Sequence, residues 1–133
     1  YKLQNEDKKI IRFTHLGTWS NPFSYRIEKS NGQITLTYSK TKGLGGYDAG
    51  RRIKHEQKII KSENWENIME KIDSINFWNI KTHDPNMILD GAEWILEVLI
   101  GDKYHFVTRN SPENYGGKEY AELCKLVMNA NKQ

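Results

Sequence analysis

The clearest pattern along the chain is an alternation of apolar and polar residues on both sides of Asn31-Gly32. Asn-Gly is the dipeptide most typical of a two-residue β-hairpin loop. With this loop, Ile27 lies opposite Leu36 and Tyr25 lies opposite Tyr38, and the residues between them point to the other side. The turn and the alternation agree on one register. They therefore predict an antiparallel hairpin with one apolar and one polar face.

The same periodicities predict the remaining elements. Strand-like segments lie at 10–16, 51–60, 92–100 and 104–109, and apolar stripes with helical spacing lie at 62–75 and 116–132. We expect the first helix to start at Ser62 as its N-cap and to bury Trp65. Phe77 and Trp78 follow it as a buried anchor within a loop.

The order of these elements defines the fold class. We expect residues 1–133 to form a single α+β domain, with an antiparallel sheet of about six strands in the order β-β-β-β-α-β-β-α. Two helices would pack on one face of the sheet and leave the other face to solvent. Residues 1–9 are polar and are predicted to form a loose N-terminal arm.

One strand carries an unusual group of side chains. Trp94 stands between Glu93 and Glu97 in "LDGAEWILEV" (89–98), which indicates either a binding surface or ordinary packing with a solvated face. A hairpin turning at Gly101-Asp102 places Trp94 opposite Arg109, where the ring and the guanidinium could stack. The alternative is a register shifted by one residue, which would place the glutamates beside the basic residues instead.

Composition and charge exclude several classes of protein. The net charge is only +3, and the densest basic run, 51–61, is split between two faces when it forms a strand, so nucleic acid is disfavoured as a partner. The single cysteine, Cys124, excludes an intramolecular disulfide and lies on an apolar helical stripe, as a buried side chain would. No segment approaches the length of a transmembrane span.

Motifs for cofactors and metals are missing from the sequence. The glycine-rich stretch 42–50 lacks the Gly-Lys-Ser/Thr of a phosphate-binding loop and is interpreted as a wide loop between two strands, with a mobile loop beside a ligand as the alternative. The four histidines show no ligand spacing, so we expect neither cofactor nor metal. A metal site assembled from separate strands is the alternative.

Part of the chain resembles a family of uncharacterised bacterial proteins. The family has an Asp-Gly-x-x-Trp-x-x-Glu strand and a second strand with Tyr-His near its start and Arg-Trp-Ser-Pro at its end. About a third of the chain is covered, and Asn110 stands where the family has Trp. The matching positions are Asp90, Gly91, Trp94, Glu97, Tyr104, His105, Arg109, Ser111 and Pro112.

The resemblance implies a location more than an activity. Many members look exported or lipid-anchored. The chain starts at Tyr1 rather than Met, as a processed or a trimmed form would, and a removed export signal is one explanation. We therefore expect an exported, periplasmic or lipid-anchored protein, with a cytoplasmic one as the alternative. No activity comes with the family.

Three functions remain open on the sequence. The favoured one is a non-catalytic module that binds a protein or a small ligand, and the candidate contacts are Asp90, Trp94, His105, Arg109 and Ser111. The second is a small hydrolase that uses His105, Arg109, Glu97 and Asp90. The third is a structural accessory domain.

Overall fold

The computed structural model describes residues 8–17, 21–41, 52–83, 92–110 and 118–130. Within these ranges the chain forms one antiparallel sheet of six strands in the order β4-β3-β2-β1-β5-β6, with two helices. The predicted α+β fold and its element order are confirmed. The strands are β1 (Lys9–Gly17), β2 (Phe23–Ser30), β3 (Gln33–Thr41), β4 (Arg52–Ile59), β5 (Ala92–Ile100) and β6 (Lys103–Asn110).

The predicted hairpin register is also confirmed. Ile27 pairs with Leu36 and Tyr25 pairs with Tyr38. Asn31 (φ 54°) and Gly32 (φ 80°) both adopt the left-handed backbone conformation that a tight two-residue hairpin turn of this type requires. The geometry of the loop therefore sets the register of β2 and β3 locally.

Strand β1 joins the two hairpins into one sheet. It pairs with β2 on one side and with β5 on the other, so Phe13 lies between Tyr25 and Leu96. Because β1 runs antiparallel to both neighbours, the first residues of β2 and of β5 lie at the same end of the sheet. The ladder between β3 and β4 contains an irregularity at Lys40/Thr41.

The core lies between the sheet and the helices α1 (Ser62–Ser74) and α2 (Lys118–Met128). Helix α1 buries Trp65, as predicted, but the prediction that Ser62 is the N-cap is wrong by one residue. Lys61 is the cap, with an extended backbone and no side-chain hydrogen bond, and Ser62 is the first helical residue. The completely buried side chains of the core include Ile11, Phe13, Ile27, Ile68, Ile72, Phe77, Leu96, Val98, Val107, Leu123 and Val127.

Helix α2 is fixed to the sheet by a polar contact as well as by packing. The Tyr120 hydroxyl lies 2.8 Å from the carbonyl oxygens of both Trp94 and Val107, which share its single hydrogen. Cys124 is buried, as expected, and burial raises the pKa of its thiol well above the usual range. Its environment is that of a core residue.

Two predicted features lie wholly or partly outside the described residues. Of the predicted arm, Lys9 belongs to β1, and residues 1–7 lie outside the described residues, as does the glycine-rich loop at 42–50. The predicted anchor after α1 is confirmed for Phe77, which is completely buried in the short 3-10 turn Phe77–Asn79, whereas Trp78 is only half-buried.

Candidate binding surface

Trp94 belongs to the core. Its side chain is 5% exposed, on the face of the sheet that the helices cover. It meets Phe13 edge-to-face at a ring-centroid distance of 5.6 Å, a favoured aromatic geometry. Packing therefore accounts for its position on β5.

Arg109 lies opposite Trp94 in the ladder, as predicted, and its guanidinium serves the backbone. It donates hydrogen bonds to the carbonyl oxygens of Lys81 (2.9 Å) and Thr82 (3.2 Å). The N–H of Thr108 donates to the same Thr82 oxygen at 2.8 Å. Arg109 therefore holds the segment Ile80–His83 along the outer edge of β6.

His105, four residues before Arg109 on β6, contacts the same segment. Its Nε2 lies 2.8 Å from the carbonyl oxygen of Ile80, and its ring meets buried Phe77 edge-to-face at 5.3 Å. His105 and Arg109 thus share a structural role at this edge. Asp90 and Ser111, the other two predicted contacts, lie outside the described residues.

Glu97 lies on the other face of the sheet, which we call the open face because the helices pack on the opposite side. Arg12 donates two hydrogen bonds to it, at 2.6 and 2.9 Å, and the Tyr104 hydroxyl donates a third at 2.8 Å. Burial alone would raise the pKa of Glu97, but these hydrogen bonds and the charge of Arg12 outweigh burial and hold it below the usual range. Burial and the bond to Glu97 raise the pKa of Tyr104 to about 12.

The residues of the hydrolase hypothesis that the structure describes lie on opposite faces of the sheet. Glu97 pairs with Phe106 on the open face, whereas His105 and Arg109 point to the helix side. Glu93, also on the open face, accepts a hydrogen bond of 2.6 Å from Thr108. Among the described residues, no group of three or more His, Cys, Asp or Glu side chains could hold a metal ion.

A row of three aromatic rings lies on the helix side of β2 and β3, at the same end of the sheet as Trp94. We call Phe23, Tyr25 and Tyr38 the aromatic strip; all three are half-buried. The Tyr25 and Tyr38 rings lie 4.8 Å apart, and Phe23 lies 5.9 Å from Tyr25 and 6.3 Å from Tyr38. Burial, followed by the neighbouring Tyr38 and Glu56, raises the pKa of Tyr25.

The aromatic strip continues into the core. Phe23 stacks on His15 at 4.7 Å with an interplanar angle of 11°, and it also contacts Phe13 at 6.4 Å. Both of these residues lie beside Trp94. The half-buried rings are therefore held in place by a continuous set of ring contacts on paired strands.

The charges beside the strip are mostly positive. Lys40 pairs with Phe23 and Lys58 pairs with Leu36, so both project from the helix side, as does Glu56 opposite Tyr38. A flat apolar surface bordered by lysines can stack on a ring and attract an anionic group.

Sequence reasoning did not single out these three residues as a site. The hairpin register already placed Tyr25 opposite Tyr38 on the apolar face, at the end far from the turn. The alternation before the turn predicts a strand at 24–29, which leaves out Phe23. The contact with His15 and Trp94 depends on β1 lying between β2 and β5, which no local pattern indicates.

Comparison with known proteins adds no assignment. No protein-family model matches the chain, and no curated protein matches it. In the part of the chain that the structure describes, no helix is both long and apolar enough to cross a membrane.

Proposed function

We propose that the chain is a non-catalytic binding module of an exported bacterial protein, and that it binds its ligand on the aromatic strip. The observation that carries the proposal is the arrangement of Phe23, Tyr25 and Tyr38, which are half-buried, in mutual contact and mounted on two paired strands. A soluble domain gains most from aromatic rings when it buries them fully. Rings kept at the surface in a fixed orientation are typical of recognition sites.

The ligand class follows from the rings and their neighbours. The tyrosines offer flat apolar faces with a hydroxyl at the rim, and Lys40 and Lys58 lie on the same side of the sheet. We therefore assign an acidic oligosaccharide, whose sugar rings stack on the tyrosines while a carboxylate meets a lysine. Glu56 interrupts the positive charge, which disfavours the long phosphate track of a nucleic acid.

Titration calorimetry with an oligogalacturonide tests this function. We expect binding that weakens at least about tenfold in Tyr38→Ala, the loss of roughly one stacked ring. Tyr104→Ala is the matched control, because Tyr104 is an exposed tyrosine of the open face, and it should leave binding unchanged. A neutral oligosaccharide of equal length and a single-stranded oligonucleotide complete the panel.

Two results would contradict the proposal. One is the absence of oligogalacturonide binding, or binding that Tyr38→Ala does not weaken although circular dichroism shows a folded variant. The other is tighter binding of the oligonucleotide, which would identify a nucleic-acid protein.

The cellular location is a separate part of the proposal. It is supported by the resemblance of residues 90–112 to a family with many exported or lipid-anchored members. Fractionation of cells that express the natural full-length protein tests it. We expect the protein in the periplasmic or membrane fraction, and recovery in the cytoplasm alone would refute export.

A further inference from the structure

Strand β4 ends the sheet on the side away from β6. Among the described residues, no strand pairs with its outer edge, and His55, Glu56, Gln57, Lys58 and Ile59 are all exposed. Ile59 is 71% exposed, the largest value among the exposed large apolar side chains. An edge of this kind can be extended by another strand.

The hydrogen-bond pattern shows which backbone groups face outward. The N–H of Ile60 donates to the carbonyl of Ile34 at 3.0 Å, which continues the register of the β3–β4 ladder. Bonding alternates along an antiparallel strand, so Lys58 and Glu56 turn their backbone groups toward β3. Gln57 and Ile59 therefore direct theirs outward.

We propose that β4 pairs with β4 of a second copy of this chain, antiparallel and centred on Gln57, to form a two-fold symmetric dimer with a continuous sheet. In this register Gln57 meets Gln57 of the second copy, and Ile59 meets His55. Glu56 then lies opposite Lys58 of the second copy, and Lys58 lies opposite its Glu56. Symmetry makes every such contact occur twice.

Charge complementarity selects both the partner and the register. Moving the centre by one residue along the strand places Glu56 opposite Glu56, or Lys58 opposite Lys58, and like charges directly opposite each other are unfavourable. Only the register centred on Gln57 pairs both charges with opposite ones within the exposed stretch His55–Ile59. The stretch has no net charge when His55 is neutral, so a second copy suits it better than a strongly acidic peptide.

The pairing also puts the charged side chains at close range. Glu56 and Lys58 fall at a non-hydrogen-bonded position of the new ladder, where the Cα atoms of opposed residues approach to about 4.5 Å. The Gln57 pair falls at a hydrogen-bonded position, on the symmetry axis. The dimer therefore predicts that charge changes at Glu56 and Lys58 weaken association, whereas residue 57 lies close enough to its symmetry mate to be cross-linked.

A charge-exchange experiment in the ultracentrifuge tests the dimer. Sedimentation equilibrium of the full chain, up to millimolar protein, should show a monomer–dimer equilibrium. Glu56→Lys and Lys58→Glu should each raise the dimer dissociation constant at least about tenfold, because two attractive pairs become repulsive. The double variant, with both exchanges, should restore dimerisation.

Matched controls make the same charge changes elsewhere. Glu119→Lys and Lys118→Glu alter exposed residues of α2 and should leave the dissociation constant unchanged. In addition, Gln57→Cys should be joined into a covalent dimer by a short bismaleimide, whereas Gln33→Cys, exposed near the hairpin turn, should not; Cys124 is buried in both.

A monomer at every concentration overturns the proposal. A dimer that both single charge variants leave intact overturns it as well, because the interface then lies elsewhere. Failure of the double exchange to restore a dimer, in a variant that circular dichroism shows to be folded, refutes the register. These outcomes concern the oligomeric state, whereas the test of the aromatic strip measures ligand binding in Tyr38→Ala and Tyr104→Ala; Glu56 and Lys58 are the residues that both proposals use.

Discussion

The two edges of the sheet are built in different ways. Along β6, the segment Ile80–His83 covers the strand, and Arg109, His105 and the Thr108 amide hold the segment by its carbonyl oxygens. Along β4, the residues from His55 to Ile59 are exposed, and no described strand pairs with their outer side. One edge is closed by the chain itself, and the other is compatible with a second chain.

The difference shows how chemistry-bearing side chains can serve structure. A histidine and an arginine on the same face of one strand are typical of a site, yet here both contact backbone carbonyls of a covering segment. Buried or half-buried carbonyl groups need a donor, and a guanidinium can reach two at once.

The largest expected effect is the loss of the anchor beneath the covered edge. Phe77 is completely buried and contacts His105, so Phe77→Ala should lower the free energy of unfolding by about 3–5 kcal/mol. Ile59→Ala removes an exposed apolar side chain from the open edge and should change it by no more than about 0.5 kcal/mol. Urea denaturation followed by circular dichroism measures both, and equal costs would contradict the contrast between the edges.

A smaller effect is expected from Arg109→Ala. The Lys81 carbonyl would lose the Arg109 donor, and the Thr82 carbonyl would keep only the Thr108 amide, at a cost of about 1–3 kcal/mol. Hydrogen exchange at the Thr108 amide should accelerate because Ile80–His83 is no longer held in place. Lys58→Ala, on the opposite edge, should have little effect on stability, and unchanged stability of Arg109→Ala with loss of ligand binding would place Arg109 in a binding site instead.

The smallest effect concerns the open face and depends on pH. Glu97 has a pKa below its ordinary value of 4.5, so its contribution to stability is present above that value and is lost as the pH falls through the lowered pKa. The Arg12–Glu97 ion pair is partly solvated, so the free energy of unfolding should fall by at most about 1 kcal/mol when Glu97 is protonated.

Thermal unfolding as a function of pH measures this contribution. Glu97→Gln should make the acid limb of the stability curve shallower, while Glu66→Gln, in an exposed position of α1, should leave its slope unchanged. Equal slopes for the wild type and Glu97→Gln would show that Arg12 and Tyr104 do not act on the charge of Glu97.

Part of the candidate surface could be predicted and part could not. The hairpin register correctly paired Tyr25 with Tyr38, and the second hairpin correctly paired Trp94 with Arg109. In both cases the loop has two residues, so the sequence spacing dictates which residues face each other. The contacts that these side chains make with the helices and with other strands do not follow from this spacing.

The sequence by itself determined the elements, the two hairpin registers and the α+β class, because turn residues and periodicity act over a few neighbouring positions. Tertiary structure decided that β1 lies between the hairpins, that Trp94 enters the core and that Glu97 meets Arg12 across 85 positions of sequence. It also decided which edge the chain covers, since Arg109 reaches carbonyls 27 and 28 positions away. Such contacts depend on the burial of the whole apolar face, which is a property of the assembled layers and not of any segment.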